Sequence, residues 1–420
     1  MPQSIKNWVR ISLINLLVVS ILGCLMRYKI AFPFPLVDQK FLLHAHSHFA
    51  FSGWVSQLLM SLMVFHLYRF SLQNACNNYR IYLWANLICA YGMLISFVLQ
   101  GYGIISICFS TLSIFVSYAF AVKFGKDVKK IKQAGIANYW FLAALMFNVL
   151  SSIGPFHLAY MMATNTINES NYLKSIYFFL HFQYNGWFLF GCMGLLFSWM
   201  KTKRKEIPHQ GLILGLNFIA CFPAYLLSVL WLPVAHTFLP VVIVAVVMQF
   251  AGFFLLMRGL IKRGIFSRYK GKTGLQLWKL AVVAYSIKLC LQAGSTIPAL
   301  SKLAFGFRPI VIGYLHLVLL GVITIFLLGY LFLEKMVVYN RLAKTGLIIF
   351  LSGIILNEIL LMIQGVAAIE YVMIPYINEM LFAAAITLFS GLLLLSLSQR
   401  KKQKEFVIPQ SVEYLEEAFA

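Results

Sequence analysis

Acidic residues are scarce in this chain, with 12 Asp and Glu against 34 Lys and Arg among 420 residues and a formal charge of +22. Charge of either sign is scarce too: 11% of residues are charged and 61% are hydrophobic. That leaves too little polar surface for an ordinary soluble domain of this length. Seven cysteines are scattered without a CxxC, a CxxCH or any paired spacing. This excludes covalent c-type haem attachment, iron–sulfur ligation and a thiolate zinc site, and the seven read as small apolar core residues.

What is present is a series of apolar runs long enough to cross a hydrocarbon core, each needing roughly 20 residues. They predict twelve transmembrane helices near 9–26, 45–66, 81–99, 103–122, 138–162, 175–199, 211–231, 237–257, 276–297, 309–333, 345–365 and 377–398. The first run is followed by a histidine-rich second helix rather than a small-residue cleavage site, and is read as helix 1. The excess positive charge follows topology rather than a nucleic-acid surface. With the N-terminus inside, only Arg27, Lys29, Lys40, Lys174, Lys302 and Arg308 fall in outer loops, while clusters such as Lys126 to Lys132 and Lys201 to Lys205 fall on the inner side. The positive-inside rule then predicts both termini in the cytoplasm of a bacterial inner membrane, with the basic runs against anionic lipid and no nucleic-acid partner. Residues 1–404 read as one transmembrane domain and 405–420 as a short acidic cytoplasmic tail.

Three strings repeat: HFAFSGW from His48, HFQYNGW from His181 and HLVLLGV from His316, each with a glycine five positions on, at Gly53, Gly186 and Gly321. The intervals between the histidines are 133 and 135 residues, and each contains four expected helices. The chain therefore reads as three pseudo-repeats of four helices, about 1–137, 138–275 and 276–404, with the marked histidine on the second helix of each. Gly23, Gly154 and Gly294, near the ends of the first helices, support the alignment.

Depth gathers the histidines. Helices 2, 6 and 10 run from outside to inside, so at ~1.5 Å per residue His48, His181 and His316 share the outer third of the membrane. His236 and His157 fall in the same layer. An ionisable group inside a span is costly and marks a functional site by default; for His157 a hydrogen bond to a neighbouring helix serves equally well. Two neutral imidazoles on facing helices can ligate one haem iron from opposite sides. Glycines one turn away would let the macrocycle approach the backbone, and Phe49, Trp54, Phe182, Tyr184 and Trp187 would cover it. His46 and His48 are two residues apart and point about 200° from one another. The repeat position selects His48 as the partner of His316, leaving His46 for a neighbouring helix or a second metal site. Lys288 and Glu358 are candidate steps of a proton path.

Taken together, the stretch HSHFAFSGWV, the histidines on helices 2, 6 and 10 and the three-by-four layout resemble subunit I of the haem-copper oxidase superfamily, in its cbb-type and nitric-oxide-reductase branch. The resemblance implies a b-type haem on His48 and His316, and an active-site copper or non-haem iron on His181 and, in PVAHTF, His236. It also implies an electron-donor subunit or cytochrome as partner. The sequence departs from the family at several points. Tyr314 stands where helix 10 usually carries a second histidine, and Thr237 replaces the second histidine of the helix 7 pair. Tyr184 is three rather than four positions after His181. The basic pair of the helix 11–12 loop is absent, which leaves Arg27 or Arg308 to hold haem propionates. The expectation is a haem-binding membrane protein acting in electron transfer or in oxygen or nitric-oxide chemistry or sensing. A working terminal oxidase or nitric-oxide reductase is one alternative, with His46, His157 or Tyr314 completing the metal site, and a twelve-helix secondary transporter is another.

Overall fold

A computed structural model of the chain describes residues 2–232, 237–268, 272–297, 299–300 and 307–399, and among these there is no strand. The long helices are α1 Gln3–Ala31, α2 Gln39–Arg69, α3 Arg80–Gln100, α4 Ile104–Val128, α5 Ile136–Ala163, α8 Leu239–Lys262, α9 Thr273–Gly294, α10 Arg308–Leu333, α11 Arg341–Ile369 and α12 Ile377–Ser398. These ten are long and apolar enough to cross a membrane, and the bent pair α7, Gln210–Cys221 with Pro223–Val229, makes eleven if counted as one span. The bend of 40° falls at Pro223, whose ring cannot donate to the helix ladder.

The expected sixth span is present as a run of Glu169–His181, Phe182–Phe188 and Leu189–Thr202, called α6 here. It is not among the apolar ten, because His181, Gln183 and Asn185 fall within it. The helices also overrun the expected spans: α1 has 29 residues, about 44 Å at the usual rise, so its ends continue beyond the hydrocarbon.

Helix starts follow side-chain caps. Asp38 accepts from the Lys40 and Phe41 amides at 2.8 and 3.0 Å to begin α2, Asn168 caps α6 and Asn340 caps α11; each satisfies N–H groups that the first turn leaves unpaired. The α3–α4 hairpin turns at Gly101, whose φ of +60° suits a residue without Cβ.

Among the ten apolar helices α2 is the most enclosed: 83% of its most apolar stretch is buried, against 17% for α4, which is left at the periphery. α1, α5 and α9 pack on α2, α6 and α10 respectively, and α3 with α4, α7 with α8 and α11 with α12 form close pairs. α1 also packs against α12 and so joins the two ends of the chain.

α2, α6 and α10 each widen into a π turn one or two residues after a histidine, at Ala50–Ser56, Phe182–Phe188 and Leu317–Thr324. The three turns meet. Trp54 Nε1 in the first donates to Thr324 Oγ1 in the third at 3.0 Å, and Trp187 Nε1 in the second donates to Ser56 Oγ in the first at 3.0 Å. A π turn opens the i→i−4 ladder, and in an apolar interior the loosened carbonyls need partners. Asn15 of α1 donates to the Gly53 carbonyl at 2.6 Å and Asn86 of α3 to that of Ser52 at 3.2 Å.

The inner ends of the same helices are locked together. His66 bridges Ser198 of α6 and Asn138 of α5 at 2.8 and 2.9 Å, and Arg69 forms a two-pronged ion pair with Glu334 just beyond α10.

Gly186 lets the second π turn lie against α5: a Cβ there would stand 2.5 Å from Phe147 Cβ. Gly186→Ala is therefore expected to destabilise the bundle by about 1–3 kcal/mol, as overpacking does. Thermal unfolding in detergent should show a lowered midpoint, and an unchanged midpoint would contradict this packing.

Candidate functional site

The outer histidines are sorted by what their ring nitrogens touch. His46 on α2 places Nδ1 3.1 Å from the Val19 carbonyl of α1. A carbonyl can only accept, so Nδ1 carries the proton and Nε2 keeps its lone pair. Gly23 makes room for the ring, a Cβ at that position lying 3.4 Å from His46 Cε1. His316 on α10 is fixed in the same tautomer by its own helix, with Nδ1 donating to the Ile312 carbonyl at 2.8 Å. Each imidazole thus presents an uncommitted Nε2, and a carbonyl-bound Nδ1–H is how proteins orient a metal-binding histidine. The two rings lie within electrostatic reach of one another, with Arg27 beside both.

His48 is committed elsewhere. Its Nε2 bonds the Tyr102 hydroxyl at 3.1 Å, and the ring stacks on Phe97 with centroids 4.4 Å apart. The structure therefore brings His46, rather than His48, to His316. His44 lies nearer the surface, edge-on to Tyr102 at 4.5 Å. His157 bonds Ser175 Oγ at 2.7 Å and so ties α5 to α6.

Arg27 faces Arg308 closely enough for the two guanidinium groups to repel. Neither has a carboxylate partner among the described residues. No residue of Arg308–His316 is fully buried, although it lies within the bundle against α11. Two imidazoles whose Nε2 atoms make no hydrogen bond and two arginines without acids are the donor set that a bis-imidazole haem with its propionates would use.

Asp38, the exposed residue that caps α2, has its carboxyl held below the usual carboxylate range by the Phe41 and Lys40 amides and the nearby Lys29 and Lys40. It therefore stays charged at the helix N-terminus. Of the aromatic residues expected to cover a haem, Trp54 and Trp187 are used in the helix crossings described above, and Phe49, Phe182 and Tyr184 are buried core.

The second expected centre is built differently. His181, 1% exposed, donates Nε2–H to the Cys221 carbonyl of α7 at 2.8 Å and accepts from Asn185 Nδ2 at Nδ1 at 3.1 Å. Both nitrogens are occupied, so this imidazole does not fit a copper or iron as it stands. His236 lies outside the described residues, and among those described no group of three His, Cys, Asp or Glu side chains is arranged to hold a metal. Tyr314 sits against Tyr184 instead, with ring centroids 6.2 Å apart. Glu358 on α11 takes a bond only from its neighbour Asn357, at 3.1 Å.

Sequence reasoning named Arg27 and Arg308 but missed the tautomers and the surroundings of Lys288. For the last, a signal exists in Lys288 and Gln292, one helical turn apart on an apolar helix. No protein-family model matches this chain, and no curated protein matches it significantly.

Removing the His181 ring would leave the Cys221 carbonyl and the Asn185 amide unpaired in the interior. His181→Ala is expected to cost about 1–3 kcal/mol and His181→Gln less, read as unfolding midpoints in detergent. Equal stability of wild type and the alanine variant would contradict the structural role.

Proposed function

We propose that this protein is a haem-carrying integral membrane protein resembling subunit I of the haem-copper oxidases, with His46 and His316 as the two axial ligands and a role in electron transfer. The observation that carries this reading is the pair of neighbouring imidazoles whose Nδ1–H groups are both tied to backbone carbonyls, leaving both Nε2 atoms free. Arg27 and Arg308 would hold the propionates, and Gly23 keeps α1 clear of the His46 ring. A b-type haem held by two imidazoles supplies a one-electron couple and leaves the iron no open position. Transfer of electrons, with a donor subunit or cytochrome at the outer face, is therefore favoured over oxygen or nitric-oxide reduction. The protein's part is to fix both ring orientations and to supply positive charge at the outer edge.

The same reading takes the fold as three four-helix units and α6 as a twelfth span. Its support is that a π turn follows the marked histidine in α2, α6 and α10, and that the glycine in each turn meets the preceding first helix: Gly53 with Asn15, Gly186 with Phe147 and Gly321 with Ala284. On this reading the basic loops lie on the inner side, with both termini in the cytoplasm of a bacterial inner membrane.

The test is a reduced-minus-oxidised optical spectrum of the purified protein and three variants. Wild type should show a low-spin b-type spectrum. His46→Ala and His316→Ala should each lose it while remaining folded in the membrane, and His48→Ala should keep it. A spectrum that survives His46→Ala and disappears in His48→Ala would overturn the pairing, and a wild type without haem would overturn the function.

A further inference from the structure

Deeper than the two free imidazoles, where a second metal was expected, the chain has buried an amine. Lys288 of α9 is 1% exposed, and its Nζ has no hydrogen-bond partner. The Tyr285 ring lies 5.2 Å from it, and His181 and Cys221 are within electrostatic reach. Tyr314 in turn lies within electrostatic reach of both Tyr285 and Tyr184. One turn along α9 from Lys288, Gln292 has an amide oxygen without a partner, as does Asn185 beside His181. No carboxylate among the described residues interacts with this amine.

A buried ammonium without a counter-charge is among the most costly groups a protein interior can hold, and in a membrane protein it marks a function. Beside the amine stand the Tyr285 ring and, one turn along α9, the Gln292 amide, whose unpaired end can turn to present its NH2. The His181 N–H is spent on Cys221, so the imidazole does not bind.

We infer that the cluster of Lys288, Tyr285 and Gln292 is a binding site for a small monovalent anion, of the size of chloride, nitrite or azide. The anion neutralises the amine and takes the place that a metal would hold between α6, α7 and α9. The site does not depend on haem at His46 and His316.

Azide is the probe, because its antisymmetric stretch reports its surroundings. In the purified full-length protein an infrared band distinct from that of free azide should appear, saturate with azide and be displaced by chloride. Lys288→Met should weaken this binding by at least roughly tenfold, since a charge-assisted bond is lost. Lys288→Arg should keep a band at a shifted frequency, which decides the matter should the methionine variant fail to assemble. The band should persist in His316→Ala. No distinct band in the wild type, an unchanged band in Lys288→Met, no band in Lys288→Arg, or loss in His316→Ala, which would put azide on haem iron, would each overturn the proposal.

Discussion

Every backbone group that a π turn loosens inside an apolar bundle must find a partner within the protein, and this constraint organises the centre of the molecule. Water is absent at that depth, and an unpaired carbonyl costs several kcal/mol. The Gly53 and Ser52 carbonyls of α2 are therefore taken up by Asn15 and Asn86 from the helices on either side. The Trp54 and Trp187 indoles bond hydroxyls across to the neighbouring turns. Those bonds fix the depth and rotation of α2, α6 and α10 relative to one another, and with them the directions of His46, His181 and His316.

The same three helices give their histidines three different environments. His46 and His316 have one nitrogen tied and one free. His181 has both tied, and the amine of Lys288 lies beyond it without an acid to meet it. Arg27 and Arg308 add positive charge without acidic partners at the same end of the bundle as His46 and His316.

Much of this was legible in the sequence, though unevenly. Apolar run lengths located the long helices, because hydropathy reports the cost of transfer into hydrocarbon directly. The sixth was read at 175–199 as well, although His181, Gln183 and Asn185 lower its mean hydropathy and leave it outside the ten most apolar helices. The repeat of histidine and glycine marked where the π turns fall but not that they are π turns, a backbone change with no residue signature of its own. The choice between His46 and His48 was not legible. The repeat fixes depth along the helix and leaves rotation open, and rotation is set by Val19 on another helix and by Tyr102, far along the chain. His236 lies outside the described residues.

The central claim is that His46 and His316 present their free nitrogens to one iron. Low-temperature electron paramagnetic resonance of the oxidised, purified protein tests it most directly, because the ligand field of the iron sets its spin state. The account predicts a low-spin ferric signal of the bis-imidazole type and no high-spin signal. A high-spin ferric signal, or no haem signal at all, would contradict it.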